Sequence, residues 1–243
     1  MDVKIYDKLA KKYDLATKIV SFGIEEVWRW MFKKELKKHI KNGTLIDVAS
    51  ATGEMAKAMD FDTMYLIEPS SEMVKIIVEK FENLGYKREN FEVIFEEIPA
   101  IKLKKDKKEV IIIQKSAENV KLPQKADIIT AFMAIRNFDN LEKGIKNLDR
   151  YLKEGGYFGI VEMVKSESFL AKLIMWYMEN VVPVIAGLLV GMKEEYKMLG
   201  KSINSLSEDD IISHFKNYKI IKKTKLIFPI ATMIIMRKNE KNS

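Results

Sequence analysis

Residues 44–54 read Thr-Leu-Ile-Asp-Val-Ala-Ser-Ala-Thr-Gly-Glu, an apolar run that delivers one acid, Asp47, and then breaks into a turn of very small residues. That pattern describes a strand whose carboxyl end opens through a tight loop into a helix, where small side chains let a ligand approach exposed backbone N–H groups. A second acid, Glu68, ends the next apolar run. A dinucleotide-binding turn carries three glycines spaced G-x-G-x-x-G, whereas this loop has only Gly53. S-adenosylmethionine suits the string better than NAD. Its ribose diol can give two hydrogen bonds to an acid such as Glu68, and its ammonium suits a loop acid such as Asp47, directly or through water. An ordinary buried strand with a sharp turn makes the same string, so the decision falls to other motifs.

The 243 residues contain no Pro-, Gly- or Ser-rich linker, which points to one domain over 1–243 with a full core. There is no cysteine, and His39 and His214 are the only imidazoles, so neither a disulfide framework nor a metal site is expected. The first ten residues alternate charged and apolar side chains without an apolar core segment, which fits a cytoplasmic protein. The net charge is +7. Its lysines are scattered or grouped in 102–108 without interleaved aromatics, so a solvated face is favoured over nucleic acid, with a membrane surface ranked ahead of RNA.

Apolar spacing predicts two helices within 5–40, a strand over 64–68 and a helix over 70–84. Two β-rich runs, 91–98 and 109–114, flank the basic segment and predict a hairpin insertion over 91–114. A strand over 126–132, a helix over 141–152 stopped by Gly155 and Gly156, and a strand over 157–164 continue the alternation. Ser207 caps a helix to Phe215, and 218–227 with 230–236 form an antiparallel pair turning near Pro229. The expected fold is α/β: a Rossmann-like, doubly wound, mostly parallel sheet with an antiparallel C-terminal edge, N-terminal helices and a helical cap over 167–204.

Several strings occur in a telling order. Tyr6–Asp14 reads Y-D-K-L-A-K-K-Y-D, Phe22–Arg29 reads F-G-I-E-E-V-W-R, and Glu68–Val74 reads E-P-S-S-E-M-V. Ser116–Pro123 reads S-A-E-N-V-K-L-P, Ala134–Asn137 reads A-I-R-N, and Glu194–Ile203 reads E-E-Y-K-M-L-G-K-S-I. With the 44–54 loop, they resemble the ubiquinone/menaquinone C-methyltransferase family, class I S-adenosylmethionine enzymes that methylate a prenylated quinol ring. The resemblance covers most of the chain and implies a class I methyltransferase fold.

For the cofactor, the resemblance implies contacts from Asp47, Ala49, Ala51, Thr52 and Gly53 in the loop. It places Glu68, Pro69 and Met73 on ribose and adenine, and Ser116, Ala117 and Glu118 beside adenine. Ala51 stands where the family usually has glycine, and a methyl there disfavours positive φ. Ser116 stands where Asp or Asn often holds the adenine amine. For catalysis the resemblance implies Arg136, stabilising phenolate charge, Asn137, orienting ring oxygens, and Tyr196, meeting the substrate hydroxyl. Helix capping and a surface salt bridge are the plainer reading of Arg136 and Asn137, and a core tyrosine that of Tyr196.

Residues 169–192 are apolar enough to suggest a membrane span, but Lys172, Glu179, Asn180 and Pro183 argue against one. A cap over an apolar pocket explains the same residues and would admit a lipid tail, with peripheral membrane contact. A homodimer interface or plain core is the alternative. The expected activity is therefore C-methylation of an isoprenoid quinol such as demethylmenaquinol. Another hydrophobic small molecule, or a scaffold without cofactor, is the competing expectation.

Overall fold

The structure is a computed structural model that describes residues 3–10, 13–21, 23–89, 93–95, 98–191, 193–194, 196–197, 205–226 and 230–240. The turn expected near Pro229, and most of the 194–203 string, lie outside the described residues.

Three helices form where two are expected: α1 (Val3–Leu9), α2 (Tyr13–Val20) and α3 (Ile24–Leu36). Gly23, at φ 74°, makes the break before α3, a left-handed turn that a residue with a Cβ resists. Trp28, Phe32 and Leu36, spaced by four, bury one face of α3.

The chain then runs β1 (Thr44–Val48), α4 (Glu54–Met59), β2 (Thr63–Ile67) and α5 (Ser71–Asn83). Ser70 caps α5, its hydroxyl accepting from the Met73 N–H at 3.1 Å, and Met73, Val74, Ile77, Val78 and Phe81 form its buried face. Next come β3 (Lys87–Arg88), β4 (Val93–Phe95), β5 (Ile98–Lys105) and β6 (Lys108–Ile113). The hairpin is therefore β5 and β6, turning at Asp106, and most of the basic segment is strand instead of connection. Lysines suit that place, because charge on an outer strand discourages pairing with other chains. β6 also pairs in parallel with β2, so it belongs to the central sheet.

After β7 (Ala126–Phe132) and α6 (Leu141–Asp149), β8 spans Leu152–Met163. Gly155 and Gly156 lie inside this strand, at a register shift against β7, and do not stop a helix before it. The apolar 169–192 stretch divides at Val181 into α7 (Phe169–Asn180) and α8 (Val182–Val190), with Pro183 in the first turn of α8, where its missing N–H costs no hydrogen bond. The chain continues with α9 (Glu208–Ser213), β9 (Tyr218–Lys225) and β10 (Ala231–Lys238).

The sheet order is β3-β5-β6-β2-β1-β7-β8-β10-β9, with β4 on β5. Strands β6 to β8 are parallel, and both edges are antiparallel. From β1 the chain winds first toward β6, then crosses to β7 and winds the other way. Such a switch point leaves a crevice at the carboxyl ends of the strands. α3 packs directly on the sheet there: a Cβ built on Gly159 of β8 would lie 2.7 Å from Phe32 Cζ and 3.0 Å from Leu36 Cδ2. Gly159→Ala should therefore cost about 1–3 kcal/mol in urea unfolding; an unchanged midpoint would show that α3 does not rest on β8.

Candidate functional site

A cavity of about 740 Å³ opens above the carboxyl ends of β1 and β7, a size usual for small-molecule sites. The loop after β1, α2 and α3, and α7 with the start of α8 all contribute to its lining.

Asp47 is the penultimate residue of β1 and is 1% exposed. Its Oδ1 accepts from Thr130 Oγ1 at 2.7 Å, from the residue beside it on β7, while its Oδ2 is buried without a hydrogen bond among the described residues. Burial pushes its carboxyl up to about 6, against the opposing pull of the Thr130 hydrogen bond. A buried carboxylate oxygen without a partner, in the wall of a cavity, fits the ammonium of a methionine moiety.

Ala49 and Ala51 both take positive φ, 49° and 48°. The methyl at Ala51 does not keep the loop out of the left-handed region, because Glu68 holds it there: the Ala51 N–H donates to Glu68 Oε2 at 2.8 Å. Each such alanine costs about 1–2 kcal/mol. Glu68 Oε1 accepts from Ser70 N–H at 2.9 Å. Burial, which outweighs these two hydrogen bonds, raises the Glu68 carboxyl to about 7. Thr52 donates to Asp14 Oδ1 at 2.5 Å, which ties the loop to α2. From α1, Asp7 accepts from Ser70 Oγ at 2.6 Å.

Arg136 sits in a 3-10 turn, Ile135–Asn137, just past β7. Its guanidinium is paired with Glu162 of β8, which is fully buried. Glu162 also accepts from the Met163 N–H at 2.9 Å and the Arg136 N–H at 3.2 Å. Burial works against the charge on Arg136, but Glu162 outweighs it and leaves the group more firmly protonated. Tyr6 and Tyr13 lie in the field of this pair, and Tyr196 lines the same cavity. Burial raises Tyr6 and Tyr196 to about 12 and pushes Tyr13 well up, so all three hydroxyls stay protonated.

Of the residues singled out in the sequence, Asp47, Ala49, Ala51, Thr52, Arg136 and Tyr196 line the cavity. Gly53 precedes α4 at φ 78° and does not line the cavity, and Glu68 and Met73 are buried outside its wall. Ser116, Ala117 and Glu118 follow β6 outside the wall, with Ala117 O accepting from Asn147 and Glu118 from the Asn140 N–H. Pro69 and Asn137 are not in the wall either. Sequence reasoning missed Tyr6, Tyr13, Glu25 and Arg29 in the wall, and Glu162 behind it. Glu162 had a usable signal, since a lone acid in the strand F-G-I-V-E-M-V must find a cation if buried.

Because the folded-state value of Asp47 is raised, its contribution to stability is full below about pH 4 and is lost as pH rises through about 6. At pH 7.5, Asp47→Asn should stabilise the ligand-free protein by roughly 1–2 kcal/mol; a lowered melting temperature would contradict this. Arg136→Ala should cost about 3–5 kcal/mol by stranding the Glu162 charge, and much of that should return in an Arg136→Met, Glu162→Met double variant, both read by urea unfolding.

A profile of the ubiE/COQ5 methyltransferase family matches residues 2–224. The ubiquinone/menaquinone biosynthesis C-methyltransferase UbiE of Campylobacter jejuni is 27% identical over 256 aligned positions, covering 97% of each chain. The demethylmenaquinone methyltransferase of Chlorobaculum parvum is 26% identical over 93% of this chain and 86% of its own. An S-adenosylmethionine-dependent methyltransferase from Clostridium acetobutylicum superposes with a TM-score of 0.62 at 14% identity, over 94% of this chain and 98% of that one, a likeness of fold. With its switch-point cavity, buried acid and tight loop, the chain belongs to the ubiE/COQ5 methyltransferase family.

Proposed function

We propose that this protein methylates a ring carbon of a prenylated quinol such as demethylmenaquinol, using S-adenosylmethionine. The observation that carries the proposal is the two-sided character of one cavity. Part of its lining is the acid-and-alanine loop, and another part is the apolar, aromatic surface of α7 with Val182 of α8. S-adenosylmethionine supplies an electrophilic methyl group on sulfur. The protein must align the acceptor within about 3–3.5 Å of it and keep water out.

In this reading Asp47 accepts the cofactor ammonium, and the backbone of Ala49, Ala51, Thr52 and Gly53 borders the methionine end. Glu68 uses the lone pairs left over from its two backbone hydrogen bonds for the ribose. Pro69, Met73, Ser116, Ala117 and Glu118 flank the adenine. Arg136 meets the quinol oxygens as a donor whose charge is offset by Glu162, and Tyr196 donates a hydroxyl. Asn137 acts through the turn that positions Arg136.

The tail side has its own support. Phe169 is 84% exposed, Leu188 82% and Trp176 58%. Trp176 and Leu173 also border the cavity, so its mouth opens among exposed apolar groups. Residues 169–188, with mean hydropathy 1.4, are long and apolar enough to cross a membrane by length and composition. The break at Val181 and the burial of Val182 and Ala186 with Ile5 and Tyr196 favour helices that lie on a bilayer and admit a tail sideways.

Purified protein with demethylmenaquinol and S-adenosylmethionine should yield menaquinol by mass spectrometry, and Asp47→Asn should weaken cofactor binding at least tenfold. No methylated quinol would overturn the acceptor. On anionic vesicles the protein should sediment with lipid, and Phe169→Ser with Trp176→Ser should reduce partitioning at least tenfold. A stable dimer in solution that ignores vesicles would replace membrane contact with self-association.

A further inference from the structure

Resting on the quinol reading, a question of proton transfer remains. A quinol ring carbon becomes a strong nucleophile when a ring hydroxyl gives up its proton, and a positioned base typically contributes about 10²–10⁴-fold. Arg136 cannot take that proton, and its partner Glu162 is fully buried behind the wall. The hydroxyls of Tyr6, Tyr13 and Tyr196 in the wall are held protonated by burial. Four of the remaining carboxylates of the wall are committed. Asp47 lies in the cofactor loop, Asp14 serves Thr52 and Lys80, Glu54 serves Lys57 and Lys80, and Glu26 pairs with Lys18 at the rim.

Glu25 is different. The left-handed Gly23 turns the chain from α2 into α3, so that Glu25, in the first turn of α3, lines the cavity with its side chain 17% exposed. Arg29 Nη2 donates to its Oε1 at 2.5 Å, and Oε2 takes no hydrogen bond among the described residues. Charged and titratable groups face it from each side: Arg29 on its own helix, Tyr13 and Asp14 from α2, Arg136 from the turn after β7, and Tyr196 from the cap.

We propose that Glu25 is the general base that accepts the proton of the quinol hydroxyl. The O–H bond breaks, the proton passes to Glu25 Oε2, and the electron pair stays on oxygen and spreads into the ring. The ring carbon bonds to the methyl carbon as the sulfur–methyl bond breaks, its pair remaining on sulfur. The resulting ring ketone loses its C–H proton to water, and Glu25 returns its own proton to the oxygen, which leaves one proton released overall. Arg29 orients the carboxylate.

Glu25→Gln keeps the size and the Arg29 contact, so it isolates the proton step. It should lower kcat at least 100-fold while leaving the S-adenosylmethionine Kd within threefold of wild type by calorimetry. Its residual rate should climb with pH through the range where the free quinol ionises, and formate should restore at least tenfold activity to Glu25→Ala. Wild-type protein that turns over no quinol overturns the function itself. Wild-type turnover with Glu25→Gln above one third of its kcat, or without the pH climb and formate rescue, overturns the assignment to Glu25 alone.

Discussion

The arrangement depends on one buried carboxylate. Asp47 sits at the centre of the sheet, where the winding direction reverses, with Thr130 on one carboxylate oxygen and no ion pair among the described residues. Removing a carboxylate from water without an opposite charge opposes folding, and here burial raises its proton affinity. The surrounding structure holds it in place. The parallel register sets Thr130 beside it, and Glu68, itself raised by burial, holds the next turn at Ala51. A cationic ligand at Asp47 would relieve that cost, so the ligand-free site stores affinity for one.

The second polar centre is built on the opposite principle. Arg136 and Glu162 satisfy each other, and Glu162 also binds two backbone N–H groups, so this centre is nearly neutral and rigid. Desolvation makes such a pair a weak source of stability but a firm constraint on geometry. It fixes the turn after β7 to the end of β8, the two strand ends that border the cavity beyond the cofactor loop. The reactive charge of the site consequently lies with the unpaired acid Asp47 and with Glu25, not with the arginine.

The loop after β1 was legible in the sequence because its determinants are local. Strand, acid, small-residue turn and helix fall within eleven residues, and the Ser70 cap and the acid at Glu68 follow soon after. The wall that the N-terminal helices build was not legible in the same way. Tyr6, Tyr13 and Glu25 reach Arg136 only because three N-terminal helices fold back over the strand ends, and their own periodicity says nothing about that contact. Gly155 and Gly156 read as a helix stop because a bulge and a helix end ask for the same left-handed glycine. The basic segment read as a connection because lysine density marks both loops and protected outer strands.

The most direct test of this account is titration calorimetry of S-adenosylmethionine at pH 6, repeated in buffers of different ionisation enthalpy. If the ammonium docks on Asp47, saturable binding should displace protons from the protein, because burial raises that carboxyl to about 6 and a bound ammonium favours its ionised form. Binding with no proton release would place the ammonium elsewhere, and no binding heat in any buffer would contradict the reading of this cavity as a methyl-donor site.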